Sequence, residues 1–307
     1  MFASLSRMKP KRADDIFLIL SRTAAIALPV LLGAIFVELV WQARLSIGKF
    51  GFGFFTSTAW NPVTQEFGAF PSIYGTVVTT AIALLIAVPL GLVIALFLVE
   101  LAPPKLSTFF GGAIELLAAV PSIIYGMWGL FILAPYMSEH VQPALQRVLG
   151  FLPLFRGPPM GIGMLTAGVV LSIMVLPYIA SVSRDVFSMV PSVIKEAGYG
   201  TGATKWEVAK GITLRHGMRG VIGAGLLALG RALGETMAVT FVIGNSTRAA
   251  TSLFDSGTTI ASTLANEFSE ASSPIYLSSL VELGLVLLII TLLFQLLAQL
   301  WLKKIEK

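Results

Sequence analysis

No cysteine occurs among the 307 residues, and only two histidines are present, His140 and His216. A chain without cysteine forms no disulfide bond and offers no thiolate as a nucleophile or metal ligand. The two histidines are far apart in the sequence and belong to no cluster of metal-ligating residues. We therefore expect neither a metal site nor a cofactor bound by this chain, and no residue stands out as catalytic.

Charged residues are scarce as well. They account for 12% of the sequence, whereas soluble domains contain roughly 25%. Hydrophobic residues account for 56%, and the mean hydropathy is +0.86. This composition is typical of a membrane protein, because helices that face lipid exclude charge. The sequence thus predicts an all-α integral membrane protein.

Six apolar runs come close to the roughly 20 residues that a helix needs to cross a bilayer. We predict transmembrane helices at 16–41, 73–99, 108–135, 161–182, 221–243 and 275–301. The first run is longer than the core of a signal peptide and is expected to be retained as a membrane helix. Residues 1–15 and 302–307 are predicted tails. Residues 42–72 form a loop between the first helix and a core of five helices at 73–301.

Lysine and arginine are unevenly distributed between the two sides of these predicted helices. Fifteen lie in the tails, near the inner end of the first helix, at Lys105 and in the polar loop 184–219, whereas five lie in the loops of the opposite side. Cytoplasmic segments carry the excess of positive charge. Both termini and the polar loop are therefore expected in the cytoplasm, and residues 42–72 in the periplasm. The net charge of +5 therefore reflects the membrane topology and gives no reason to expect a nucleic-acid partner.

The one long polar interruption, residues 188–219, carries the signals of two short helices. Pro191 is suited to a first helical turn, where its missing N–H costs nothing. Thr204 and Glu207 have the spacing of a capping box, which predicts a second helix directly after Thr204. Gly202 permits a sharp turn between the two helices. The stretch is thus predicted to be a helix–turn–helix.

Apolar residues of this stretch are expected to supply the internal contacts of the motif. They are Val193, Ile194, Trp206, Val208, Ala209 and Ile212. A structured basic loop in a membrane protein usually docks a partner, and we favour that function. The alternative is a solvated connector that carries only the usual positive charge.

The same stretch resembles the coupling loop of bacterial ABC importer permeases. The family pattern is E-A-A-x3-G-x9-I-x-L-P, and the corresponding residues are Glu196, Ala197, Gly198, Gly202 and Ile212. Gly198 stands where the pattern has alanine, and Arg215 where it has proline, but the spacing is intact. The resemblance implies that these residues contact a cytoplasmic ATPase. Trp206 is expected to be a further anchor, because an apolar group of this kind on a short helix often dominates an interface.

The predicted fifth membrane helix contains two charged residues, Arg231 and Glu235. Arg231 lies about ten residues, or roughly 15 Å, from the inner end of this helix, near the middle of the bilayer. An arginine at that depth costs about 2.5–3.5 kcal/mol on insertion scales. One interpretation is a structural ion pair with Glu235, four residues on and on the same helix face.

The other interpretation is an anion site in a water-filled path. There the guanidinium of Arg231 would bind an oxyanion through two parallel hydrogen bonds. We favour this interpretation, because arginine before glutamate is the less favourable order for an ion pair between residues four apart. An isolated buried pair also carries its own desolvation cost.

A wider similarity surrounds the fifth helix. Residues 230–239, Gly244-Asn245 and 258–271 resemble the permeases of phosphate importers, the PstC family, and the likeness runs through most of residues 60–300. It implies a type I ABC importer permease fold, with phosphate as the anion for the path at Arg231 and Glu235. The implied partners are a second, PstA-like permease in a heterodimer, a PstB-like ATPase dimer that uses ATP, and a PstS-like phosphate-binding protein. The implied location is the bacterial inner membrane.

Other functions remain open from the residues alone. The chain has no Walker A motif, so any ATP would be hydrolysed by a partner. The alternatives are a permease for another oxyanion, an intramembrane enzyme, and a channel or assembly anchor without energy coupling. An enzyme would need a convergent nucleophile and base, such as serine with histidine. Neither histidine lies in a predicted transmembrane helix, which disfavours the enzyme.

Overall fold

The structure is a computed structural model that describes residues 10–305, and most of these residues are helical. The first elements in chain order are α1 (Pro10–Phe50), α2 (Gly53–Thr56), β1 (Trp60–Asn61), β2 (Glu66–Phe67) and α3 (Phe70–Leu96), which the π-helical turn Phe97–Leu101 extends. They are followed by α4 (Pro104–Ala118), α5 (Ser122–Leu149), a 3-10 turn (Pro153–Phe155), α6 (Met164–Ser188) and α7 (Ser192–Gly200). The last elements are α8 (Lys205–Val208), which the π-helical segment Ala209–Leu214 extends, α9 (Arg215–Leu233), α10 (Met237–Val242), α11 (Ile260–Glu267) and α12 (Pro274–Ile305). The two short strands pair as an antiparallel hairpin.

Four of the described helices are long and apolar enough to span a membrane. They are Asp14–Phe50 within α1, Phe70–Leu101, Met164–Ser188 and Pro274–Leu300. Helices α4 and α5 add a fifth if this pair, bent by 90°, is counted as one span. The integral-membrane, helical character is thus confirmed, whereas residues 10–305 do not confirm the predicted number of six membrane helices.

The predicted third and fifth membrane helices are both interrupted. In the third, the chain leaves the helical conformation at Val120 and Pro121, because proline lacks an N–H and disfavours a helical residue before it. In the fifth, α9 and α10 are separated at Gly234. Neither 108–135 nor 221–243 therefore forms the single continuous helix that hydropathy predicted.

Helices α3 and α6 form the centre of the bundle. Every fourth residue along one face of α3 is small and buried: Gly75, Thr79, Ala83, Ala87, Gly91 and Ala95. Gly91 lies against Ile179 and Gly168 lies against Ile82, so the two helices run parallel. Small side chains let the backbones of two helices approach closely, and such packing drives helix association in lipid.

Helix α9 returns antiparallel to α6. Gly217, near the start of α9, packs on Phe187, near the end of α6. At the other end of the bundle, the N–H of Gly163 just before α6 donates to the carbonyl of Val242 in α10 at 2.9 Å. The break between α9 and α10 therefore lies between the two ends of the bundle.

Helix α1 is attached to the bundle near one end only. Its 41 residues extend about 60 Å, roughly twice the hydrocarbon thickness of a bilayer. Among its described side chains only Ala43 and Ser46 are buried, and the Ser46 N–H donates to Ser278 Oγ of α12 at 3.1 Å. The helix continues beyond the predicted 16–41 into both the predicted tail and the predicted loop. Residues 1–9 and 306–307 of the predicted tails lie outside the described part of the chain.

Candidate functional site

The break after α9 separates the two charged residues of the predicted anion path. Arg231 lies in the last turn of α9, and Glu235 lies in the connection to α10. The carboxylate of Glu235 accepts the N–H of Ala238, in the first turn of α10, at 3.2 Å. Among the residues that the structure describes, no salt bridge joins Arg231 to Glu235. The interpretation that placed both on one helix face was wrong, because it assumed a continuous helix.

Arg231 lies near the middle of the bundle. Gly225, almost two turns earlier on α9, faces Val88 of α3, and Val88 is close to the centre of the helix Phe70–Leu101. Because α9 runs antiparallel to α3 and α6, Arg231 lies about 9 Å beyond this level, towards the start of α3. It therefore stays well within the length of the membrane-spanning helices.

The side chain of Arg231 is exposed in the single chain, as is that of Leu227 one turn earlier on α9. Within residues 10–305, no carboxylate forms a salt bridge with the Arg231 guanidinium. A guanidinium facing lipid at this depth would cost about 2.5–3.5 kcal/mol or more. We therefore expect this face of α9 to border a polar space or a partner subunit, where the guanidinium is available to an anion.

The break before α5 lies beside the same region. Gly126 of α5 approaches α10 so closely that a Cβ atom there would lie 2.9 Å from the Cα of Ala238. The neighbouring Tyr125 donates its hydroxyl to the carbonyl of Leu117 in α4 at 2.8 Å. Broken helices at membrane depth are tolerated where protein or a water-filled cavity surrounds them. The sequence analysis identified neither Tyr125 nor the break.

The threonine-rich part of 258–271, which carries much of the resemblance to phosphate importer permeases, has a packing role. Thr259 caps α11 together with Ser262. The N–H of Ile260 donates to Thr76 Oγ1 of α3 at 2.9 Å. The side chains of these residues, Thr76, Thr259, Ile260 and Ser262, are all buried. This part of the stretch therefore anchors α11 to the start of α3.

The polar loop forms the predicted helix–turn–helix. Helix α7 begins directly after Pro191, and α8 begins directly after Thr204. The Thr204 N–H donates to Glu207 Oε2 at 2.7 Å, and the Glu207 N–H donates to Thr204 Oγ1 at 3.3 Å, which completes the capping box. The bond from the Thr204 backbone, with that from its hydroxyl, lowers the pKa of the Glu207 carboxyl. Gly202, at φ +88°, lies in the turn.

Two features of the loop differ from the sequence-based prediction. Helix α8 is not a separate short helix, because it continues through the π-helical segment Ala209–Leu214 directly into α9. Of the expected internal contacts, Val193, Ile194 and Trp206 are instead exposed by 72%, 41% and 65%. The loop therefore presents apolar side chains to its surroundings, as a docking surface does.

The remaining loop residues divide between the inside and the outside of the motif. Val208 and Ala209 are buried. Gly198 leaves room for Ile212, whose Cδ1 would lie 2.6 Å from a Cβ atom at position 198. Glu196 and Ala197, which belong to the family pattern, are exposed. The pattern thus combines residues that pack the motif with residues that lie on its surface.

Comparison with known proteins identifies the family. Residues 87–307 match the family described as the binding-protein-dependent transport system inner membrane component. The chain belongs to this family. The permease is 53% identical over 297 residues to the phosphate transport system permease protein PstC of Mesorhizobium japonicum, with 95% of this chain and 91% of that protein covered. It is 49% identical over 304 residues to the protein of the same name from Xylella fastidiosa, with 98% and 94% covered.

A solved structure shows the same fold. It is that of a bacterial ABC transporter involved in the import of the acidic polysaccharide alginate, with a TM-score of 0.58 at 15% identity, and 95% of the permease and 100% of the matched chain are covered. At this identity the similarity shows the fold alone. The relatives are named as transport permeases, so the permease is a transport subunit and not the intramembrane enzyme considered above. Its family implies a partner permease and an ATPase.

Proposed function

We propose that the permease is the membrane-spanning subunit of a type I, ATP-driven importer of inorganic phosphate in the bacterial inner membrane. The observation that carries this proposal is Arg231, which is exposed near the middle of the bundle and has no carboxylate partner among the described residues. The names of the relatives, which are phosphate transport permeases, support phosphate as the anion.

Arg231 is proposed to bind phosphate transiently along the path. Its guanidinium offers two parallel N–H groups to two phosphate oxygens. Glu235 accepts the N–H of Ala238 and forms no salt bridge with Arg231 among the described residues. Its negative charge, just beyond the break, weakens the binding of an anion and so favours release.

The polar loop is proposed to dock the ATPase. Glu196, Ala197 and Trp206 supply its exposed contacts, whereas Gly198, Gly202 and Ile212 shape the motif that presents them. The proposed partners are a PstA-like second permease, a PstB-like ATPase dimer and a PstS-like binding protein that delivers phosphate from outside. ATP is consumed by the ATPase dimer, and this chain binds no cofactor of its own.

Phosphate uptake into vesicles tests the proposal. With the second permease, the ATPase dimer and the phosphate-loaded binding protein present, we expect ATP-dependent accumulation of labelled phosphate and faster ATP hydrolysis. Vesicles that lack only this permease should show neither. Selective uptake of sulfate in place of phosphate would contradict the proposed substrate, and uptake independent of ATP would indicate a channel.

The orientation is a separate prediction. The excess of positive charge on one side places the polar loop and both termini in the cytoplasm. Reporter fusions should give a cytoplasmic signal at Lys105, Lys205 and Lys307, and an external signal at Pro62, Arg147 and Asp255. An external signal at Lys205 would contradict docking of a cytoplasmic ATPase altogether.

A further inference from the structure

A buried carboxylate joins the polar loop to the centre of the bundle. Glu100 lies in the π-helical turn Phe97–Leu101 that extends α3, and its side chain is only 5% exposed. Its Oε1 accepts a hydrogen bond from Lys195 Nζ of α7 at 2.6 Å and another from Thr213 Oγ1 at 2.6 Å. One oxygen atom thus connects three elements, namely α3, the docking helix α7 and the segment that leads into α9.

Two of the four π-helical segments among residues 10–305 lie at this connection. Glu100 and Thr213 both lie in π-helical segments, Phe97–Leu101 and Ala209–Leu214. Such segments are rare in proteins and are frequently located at functional sites. The Glu100 carboxylate therefore links the π-helical end of α3 to the π-helical segment between α8 and α9.

Helix α7 has few other attachments to the rest of the chain. None of its residues is buried, and its apolar packing at Gly198 involves Ile212 and Val208 within the loop itself. The bond between Lys195 and Glu100 reaches from α7 past the loop to α3. A displacement of α7 can therefore be passed directly to α3 through this bond.

Stability does not explain the pair well. Replacing a buried ion pair by apolar residues of similar volume is often neutral or stabilising, because two charges must be removed from water. What such a pair does provide is a fixed geometry between the groups it joins. The second contact, from Thr213, fixes the carboxylate further.

We propose that Glu100 is a positioning residue for transport: it transmits movement of the ATPase-docking helix α7 to α3 through Lys195 and Thr213. Helix α3 packs along α6 through its small residues and faces α9 through Val88, so it is placed to carry that movement to the region around Arg231. The inference rests on the proposed function, because it requires the loop to be the ATPase dock.

The test uses the assembled importer and measures three quantities separately: ATPase association, ATP hydrolysis, and phosphate transported per ATP hydrolysed. For Glu100→Gln we expect near-normal association and continued hydrolysis, with phosphate per ATP reduced roughly tenfold, within the range seen for coupling networks. Lys195→Met, on the partly exposed side of the pair, should show the same loss. The double variant should be no worse than either single one, because both remove one interaction.

Glu115→Gln is the matched control. Glu115 also forms a close ion pair between two helices, with Arg184 Nη2 at 2.5 Å, but its side chain is 57% exposed. Arg184 is only 21% exposed, but it also pairs with Asp185 at 3.3 Å. Because Asp185 and water can replace the exposed Glu115 carboxylate, this variant should keep a normal ratio of phosphate to ATP. A normal ratio in both Glu100→Gln and Lys195→Met would overturn the inference, as would loss of ATPase association in both. Absence of phosphate uptake in the unmodified complex would instead contradict the proposed function.

Discussion

Replacing Arg231 by glutamine is expected to abolish phosphate uptake while expression and assembly stay near normal. Glutamine lacks the positive charge and the paired N–H donors that hold an oxyanion. Losing a charge-assisted contact of about 3 kcal/mol corresponds to roughly a hundredfold lower uptake. Because Arg231 is exposed and has no carboxylate partner among the described residues, its removal leaves no buried charge behind. Uptake of labelled phosphate by the assembled importer measures the effect.

Two further variants and a control sharpen this experiment. Arg231→Lys should be impaired too, since a point charge does not reproduce the two parallel donors. Arg248→Gln removes an exposed arginine from the loop after α10 and should leave uptake unchanged. Normal transport by the double variant Arg231→Leu with Glu235→Met would show that both charges are dispensable. Failure of transport in a well-assembled double variant would support the anion path.

Trp206→Ala should weaken binding of the ATPase by a large factor. Trp206 is 65% exposed on the loop, and a tryptophan at the centre of an interface commonly contributes 2 kcal/mol or more, which corresponds to roughly thirtyfold in affinity. The permease itself should remain stable, because an exposed side chain is removed. Titration of the purified ATPase onto permease in nanodiscs measures the change.

The controls separate docking from general damage. Phe52→Ala truncates another exposed aromatic residue, 92% exposed in the turn after α1, and should not alter ATPase binding. Glu196→Lys reverses an exposed charge of the family pattern and should reduce binding or uncouple hydrolysis from uptake. If Trp206→Ala and Glu196→Lys both give normal binding and normal coupled uptake, the loop is not the dock.

The local signals in the sequence determined the parts of the fold that depend on neighbouring residues. The capping box of Thr204 and Glu207 and the turn at Gly202 appear in the structure as predicted, because each is an interaction within a few residues of backbone. The membrane character followed from composition, because helices that face lipid contain few charged residues.

Tertiary structure alone decided which groups meet. Nothing in the sequence indicated that Glu100 contacts Lys195 and Thr213, because these contacts depend on how α3, α7 and the start of α9 pack. The sequence also left open whether Trp206 packs within the loop or faces outward, and the structure shows it 65% exposed. The orientation of these side chains is set by contacts between elements that are distant in the chain.

The separation of Arg231 from Glu235 has the same origin. Spacing by four residues predicts a shared face only if the helix is continuous, and the chain leaves the helix at Gly234. The new helix α10 then begins with N–H groups that have no acceptor within the helix. Glu235 accepts one of them, from Ala238. The carboxylate therefore accepts an N–H of α10 in this structure, and it forms no salt bridge with Arg231 among the described residues.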